Sequence, residues 1–204
     1  MTISILDYQM GNISSIHRAL SKNNIECKVI RSYDEIISAD KIILPGVGHF
    51  GKAMDYLRHN NLDEALHKSV LVDKKPILGI CLGMQLMCQR SEEGETFGLG
   101  WFDASITKIQ VENKLKYKIP HIGWNSAVNS KKAKLFNGIE QDAEFYFVHS
   151  YYVEKAKKDE ILCKTTFESE FISALSKDNI YGVQFHPEKS HEAGFKLLKN
   201  FAEL

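Results

Sequence analysis

The sequence predicts an α/β fold: a mostly parallel sheet flanked by helices in its first half, and β-rich segments in its second. Three observations carry this reading. Short apolar runs of strand length alternate with amphipathic helical stretches up to about residue 90, as in β-α-β units with both sheet faces covered. Two of those runs end directly in glycine-rich turns, Pro45-Gly46-Val47-Gly48 and Gly79-Ile80-Cys81-Leu82-Gly83. Past Gly94, β-rich runs follow one another, split by polar turns. No internal repeat, low-complexity tract or flexible linker interrupts the 204 residues, so a single domain over 1–204 is expected, large enough to bury a substantial core.

Taken in order, Thr2–Leu6 is the first strand and ends at Asp7. Asn12 or Ser14 is placed to cap a helix running to about Lys22, with Ile13, Ile16, Ala19 and Leu20 on one stripe. Glu26–Ile30 is a second strand and Lys41–Leu44 a third, stopped by the Pro45–Gly48 turn. Met54–Arg58 and Leu62–Val72 read as helical. Pro76–Ile80 is the fourth strand, and a helix is expected to follow it from about Met84 to Arg90, burying Cys88 on one face. The later β-rich runs are Asp103–Val111, Ala143–Val153, Ile161–Thr166, Phe171–Ser176 and Ile180–Phe185. An amphipathic helix from about Glu192 to Phe201 comes last, carrying Phe195, Leu197, Leu198 and Phe201.

The 26 basic residues balance the 26 acidic ones, so the electrostatic footprint of a nucleic-acid or anionic-membrane binder is missing. The most basic run, Lys131-Lys132-Ala133-Lys134, is short and reads as a solvated loop or helix end. The four cysteines form no C-x-x-C pair and no zinc-like spacing, and a chain of this size needs no disulfide framework. They read as reduced thiols of a cytoplasmic protein. The first residues are too short and wrongly flanked for a signal peptide, and no apolar run is long enough to span a bilayer.

Chemistry concentrates at the strand ends. Cys81 stands between two glycines where a buried strand meets a helix, the cysteine version of a nucleophile elbow. Such a turn lifts the side chain clear of the sheet, and the helix N-terminus favours thiolate over thiol. By itself the pentapeptide is equally compatible with a buried structural thiol. A cysteine nucleophile needs a base, and the base an orienting partner. His186-Pro187-Glu188 supplies both just past the strand Ile180–Phe185. Cys81 and His186 each follow a strand, and active groups of α/β sheets gather at the carboxyl ends of their strands. Acyl transfer also needs oxyanion donors, which the Pro45–Gly48 turn and the Leu82 amide could provide.

Pro45-Gly46-Val47-Gly48, Gly79-Ile80-Cys81-Leu82-Gly83-Met84-Gln85 and Gln184-Phe185-His186-Pro187-Glu188 together resemble the class I (triad-type) glutamine amidotransferases, whose fold is flavodoxin-like. Further segments resemble one branch of them, the glutaminase subunits of imidazole glycerol phosphate synthases of histidine biosynthesis. These are Asp7-Tyr8 with Gly11-Asn12, Ser91-Glu92-Glu93-Gly94, Pro120-His121-Ile122-Gly123-Trp124-Asn125, Phe147-Val148-His149-Ser150-Tyr151-Tyr152 and Lys189-Ser190. The matches run in order over nearly the whole length.

The resemblance implies Cys81 as nucleophile, His186 as general base and acid, and Glu188 as the group orienting His186. It implies oxyanion-hole amides from Val47 and Leu82, with Gly46 and Gly48 allowing that loop to rearrange. Gln85 and His149-Ser150-Tyr151 would hold the α-amino and α-carboxylate groups of glutamine. Attack of Cys81 would release ammonia and leave a γ-glutamyl thioester for water to hydrolyse, with neither metal nor organic cofactor. Ammonia would pass to a (β/α)8-barrel cyclase partner, docked through Asn12, Pro120, His121, Trp124, Asn125, Tyr146 and Lys189.

The chain departs from the family pattern in places. Gln9 stands where a glycine is usual, Gln89 where a glutamate is usual, and Trp101-Phe102-Asp103 follows Gly98-Leu99-Gly100. These leave open a paralogous glutaminase whose cyclase-like partner modifies a nucleotide-linked or surface sugar.

Overall fold

The computed structural model describes residues 2–129 and 133–204, so Lys131 and Lys132 of the basic run lie outside the described residues. Four short strands build the first half: β1 (Ile3–Leu6), β2 (Cys27–Ile30), β3 (Lys41–Leu44) and β4 (Ile77–Ile80). Every residue of β1, β3 and β4 is buried, because helices cover both faces. Consecutive side chains point to opposite faces: Ile42 and Leu44 pack into one core, Ile43 into the other.

On one face lie α1 (Ile13–Lys22), capped by the Asn12 side chain on the Ser15 N–H, and the last helix, α6 (His191–Glu203). Ile16, Ala19 and Leu20 of the first pack in one cluster with Leu197, Leu198 and Phe201 of the second. The other face carries α2 (Tyr33–Ile37), α3 (Phe50–His59) and α4 (Leu62–His67), the last continuing as a π-helical turn to Val72. The sequence reading omits α2, although Ser32 and Glu35 form a complete capping box at its start. Five residues carry too little periodicity to announce a helix.

The helix after β4, α5 (Leu82–Leu86), is shorter than the expected Met84–Arg90. The chain re-enters the sheet as β5 (Cys88–Ser91), pairs with β6 (Thr96–Phe97), and continues into β7 (Phe102–Lys108). Cys88 is fully buried as expected, but on a strand opposite Phe102 rather than on a helix face. Next come β8 (His121–Ser126), β9 (Val128–Asn129), β10 (Glu144–His149), β11 (Tyr151–Lys155), β12 (Ile161–Phe167), β13 (Ser169–Lys177) and β14 (Ile180–Val183). The expected run Ala143–Val153 is thus two strands broken at Ser150, where the chain passes from the small β8–β10 sheet to the main one.

The main sheet runs β2-β1-β3-β4-β14-β13-β11-β7-β5-β6, with β12 and β9 branching from β13. Its parallel part is β2-β1-β3-β4-β14, and β14 places the second half beside β4 in register, Val183 opposite Ile80. Beyond β14 the pairing is largely antiparallel, so the complete sheet is mixed. The carboxyl ends of β4 and β14 are neighbours.

Gln9 adopts φ 66°, the left-handed region that glycine enters without cost. Its N–H donates to Asp7 Oδ1 at 3.2 Å, and the side chain is exposed. Gln9→Gly is therefore expected to be neutral or to stabilise by up to about 1 kcal/mol, once the extra entropy of an unfolded glycine is subtracted. Urea unfolding checks this; a loss of about 1 kcal/mol would show that the Gln9 side chain itself supports the turn.

Candidate active site

Cys81 is the hinge of the β4–α5 turn. Its φ of 54° and ψ of −111° lie outside the ordinary regions for an L-residue. Both flanking glycines are forced by close approach. A Cβ on Gly79 would lie 2.7 Å from the Met84 nitrogen, and one on Gly83 would run into the Leu44 carbonyl. The Cys81 N–H is anchored to Val183 O at 2.8 Å, so β14 fixes the elbow in space.

Two residues beyond β14, Gln184 and Phe185, lead to His186. Its N–H donates to Tyr146 O at 2.8 Å, and its Nδ1 meets Glu188 Oε1 at 2.8 Å with both side chains almost wholly buried. Its other nitrogen, Nε2, is buried and makes no hydrogen bond of ordinary geometry to a described protein atom. Burial is the largest influence on this imidazole and favours the neutral ring. The neighbouring Cys81 sulfur and the Glu188 carboxylate outweigh it and raise the basicity of His186 above that of an ordinary histidine. Cys81, His186 and Glu188 are thus brought together, with the ring held by the carboxylate and its free nitrogen on the sulfur side.

Cys81 opens on a cavity of about 280 Å³, small enough to suit an amino acid, lined by Val47, Gly48, Leu82, Gln85, Glu93 and the corner Val148–Tyr151. Pro120 forms part of the rim. Glu93 is not among the site residues expected from the sequence, yet it puts a carboxylate into the lining. The Phe50 N–H at the start of α3 fixes its Oε2 at 2.7 Å. Only its place in the Ser91–Gly94 motif could have pointed to it.

The oxyanion expectation meets a different geometry. The Val47 N–H donates to Met10 O at 2.7 Å and the Leu82 N–H to Gly46 O at 3.3 Å, so both amides are engaged within the protein. The Tyr8 hydroxyl, fully buried, holds Pro45 O at 2.6 Å. Burial and, after it, the charge of Cys81 push this phenol well above its usual range, so it stays a donor. Turning the Gly46–Val47 peptide over would break the Met10 and Leu82 bonds together and release both amides. Gly48, at φ 111°, supplies a pivot.

His149 lines the cavity, but both of its nitrogens are committed. Nδ1 lies 2.8 Å from Tyr151 O and Nε2 3.0 Å from His121 Nδ1. A carbonyl can only accept, so Nδ1 carries the proton and Nε2 accepts from His121. His121 Nε2 in turn faces the Asn125 amide nitrogen at 3.4 Å. Burial lowers His121 to about 4 and His149 to about 3, the latter also lowered by His121 and His186 against the Tyr151 carbonyl bond. Both rings are neutral. This corrects one expectation and narrows another: His121, 3% exposed, is not available to a partner, and within the His149-Ser150-Tyr151 segment the His149 side chain is committed to protein groups. Asn12, half-buried, accepts the Ser15 N–H on its side-chain oxygen as the α1 cap, which does not engage its amide nitrogen.

Trp124, Tyr146 and Lys189 do form one cluster. Trp124 and Tyr146 are cross-strand neighbours with ring centroids 6.1 Å apart, and Lys189 Nζ lies 5.4 Å from the Tyr146 centroid. Trp124 is 44% exposed and stacks on His191 at 4.8 Å.

Residues 4–204 match the family Glutamine amidotransferase class-I. The chain is 49% identical to "Imidazole glycerol phosphate synthase subunit HisH 2" of Methanococcus maripaludis, covering 98% of each. It is 41% identical to the protein of the same name from Pseudomonas aeruginosa, covering 99% of each. It is 44% identical to "Imidazole glycerol phosphate synthase subunit HisH 1" of Campylobacter jejuni, covering 99% of this chain and all of that one. Among solved structures, PurLQS from Thermotoga maritima superposes with a TM-score of 0.77 at 17% identity, over 99% of this chain and 97% of that one, a likeness of fold. The chain belongs to the class I glutamine amidotransferases.

Proposed function

We propose that this chain is the glutaminase subunit of an imidazole glycerol phosphate synthase, a single domain over 1–204 working in the cytoplasm. The full-length similarity to subunits of that name supports it, and among the described residues no helix is long and apolar enough to cross a membrane. The observation that carries the mechanism is the buried Cys81–His186–Glu188 array opening on a cavity of amino-acid size. Cys81 attacks the glutamine side-chain carbonyl carbon. The proton held at His186 Nε2 passes to the departing nitrogen, and ammonia leaves. Water, deprotonated by the same nitrogen, then attacks the thioester carbonyl, glutamate leaves and Sγ is regenerated. Glu188 keeps the proton on Nδ1, leaving Nε2 to shuttle.

Within the cavity, Glu93 and the Gln85 side-chain oxygen suit the α-ammonium of glutamine, and the Ser150–Tyr151 segment borders the same space. The engaged Val47 and Leu82 amides give a subunit that turns over slowly alone and needs a signal to turn the Gly46–Val47 peptide. A (β/α)8-barrel cyclase docked on Trp124, Tyr146 and Lys189 suits that role and would take the ammonia before water protonates it. The His186 N–H bonds directly to Tyr146 O, so one backbone hydrogen bond ties that surface to the base.

The test is to measure glutamine hydrolysis with and without the cyclase and its nucleotide ligand. A marked rise on adding both is expected, and a fully active isolated subunit would overturn the partner-dependent reading. Trp124→Ala and Lys189→Ala should each weaken the complex, Trp124→Ala by about tenfold or more, as for a buried aromatic anchor. Unchanged affinity and unchanged coupling in both would remove this surface from the interface.

A further inference from the structure

Gln184 is wholly buried, one residue past β14, and the triad chemistry leaves it without a task. Its side-chain Nε2 lies 3.6 Å from the Cys81 sulfur, and its Oε1 lies 2.9 Å from Gln85 Nε2. Gln85 Nε2 also lies 3.0 Å from the Tyr151 carbonyl oxygen.

Which end of each amide faces which neighbour follows from elementary donor and acceptor rules. The Tyr151 carbonyl can only accept, so the Gln85 atom on it must be the NH2 group. That same NH2 faces one end of the Gln184 amide, which must therefore be the oxygen. The nitrogen of Gln184 is left toward the sulfur, where it can only donate. Gln85 thus spends both amide hydrogens on protein groups and keeps only its oxygen for a ligand. Turning the Gln184 amide over would set NH2 against NH2 in a buried place and take the donor away from the sulfur.

We propose that Gln184 is a catalytic residue, its amide N–H donating to the Cys81 sulfur and holding it as the attacking thiolate. The role rests on Cys81 being the nucleophile. A donor to an anionic sulfur acts most strongly where water is excluded, and Cys81 is only 7% exposed. The donor is preorganised, because the protein's own Gln85 and Tyr151 hold the amide. Gln85 is then a positioning residue for the nucleophile as well as part of the cavity wall.

The experiment is site-resolved alkylation of Cys81 by iodoacetamide across pH, read by peptide mass spectrometry, on wild type and Gln184→Met. The variant keeps the volume and removes the donor. The midpoint of Cys81 alkylation should rise by about one pH unit, a tenfold loss of thiolate at a fixed pH below it, as expected for losing one hydrogen bond to a charged group. The kcat for glutamine should fall by about the same factor, with KM changed less. Gln184→Asn, which keeps a buried amide but withdraws it from the sulfur, should give the same shift and serves if Met is not tolerated. An unmoved midpoint in a folded variant overturns the proposal. Glutamine hydrolysis by Cys81→Ala separates the two levels. If that activity survives, the nucleophile assignment falls; if it is lost while the midpoint stays put, only the role of Gln184 falls.

Discussion

Cys81→Ala should lower glutamine hydrolysis by at least about 10⁴-fold, measured as glutamate formed with the proposed cyclase partner present, while the variant stays folded. Alanine removes the only atom of the elbow that can bond to the substrate carbon, and it inherits the same φ of 54° without a new clash. Because nucleophile and base act as a unit, His186→Ala should cost a comparable factor, and the double variant no more than either alone. Glu188→Gln is expected to cost on the order of 10³ to 10⁴-fold. A glutamine there can present its NH2 to Nδ1, which drives the imidazole proton to Nε2 and removes the base. Retained turnover in Cys81→Ala would remove the thioester route altogether. Additive losses in the double variant would mean that the two residues do not share one step.

The candidate triad was legible because its elements are local. Gly79 and Gly83 bracket Cys81 for a steric reason that the sequence displays, and His186 and Glu188 are two residues apart on a turn stiffened by Pro187. The parallel half of the sheet was legible from the apolar runs of β1, β3 and β4. What eluded a sequence reading depends on register or on facing groups. Met84, Leu86, Met87 and Cys88 are apolar at helical spacing, yet the chain leaves the helix at Leu86 because Cys88 finds a strand partner in Phe102. β8 carries Gly123 and polar residues, and only its pairing with β10 makes it a strand. That pairing sets His121 opposite His149, 28 residues away, so two residues assigned to partner and substrate turned out to satisfy each other. Gln184 and Glu93 have roles defined wholly by their neighbours. A glutamine before a histidine reads as an ordinary strand-end residue until the sulfur beside it is seen.

The buried histidine pair predicts a steep acid sensitivity that has nothing to do with the triad. An unfolded histidine titrates near 6.5, whereas burial holds His149 to about 3 and His121 to about 4 in the folded protein. Well above pH 6.5 both are neutral in either state and contribute no pH dependence. Below it the unfolded chain binds protons that the folded one refuses, so stability falls as pH falls, and keeps falling until the folded values are reached. His149 alone should cost about 1.4 kcal/mol for each pH unit within that window. From pH 6 to 4.5 that amounts to roughly 2 kcal/mol, or about 4 to 8 °C in Tm for a chain of this size. Acidic side chains also titrate there, so the measurement that isolates the effect is a comparison of slopes. His149→Gln should be less stable than wild type at pH 7, having lost the bridge between His121 and Tyr151, yet should show a flatter stability profile between pH 6.5 and 4. Parallel profiles in the two proteins would mean that His149 gains its proton in the folded state as readily as in the unfolded one. A flatter profile would establish that the corner carrying Ser150 and Tyr151 is held in place by two neutral rings, one cavity wall away from a histidine whose surroundings push its basicity the other way.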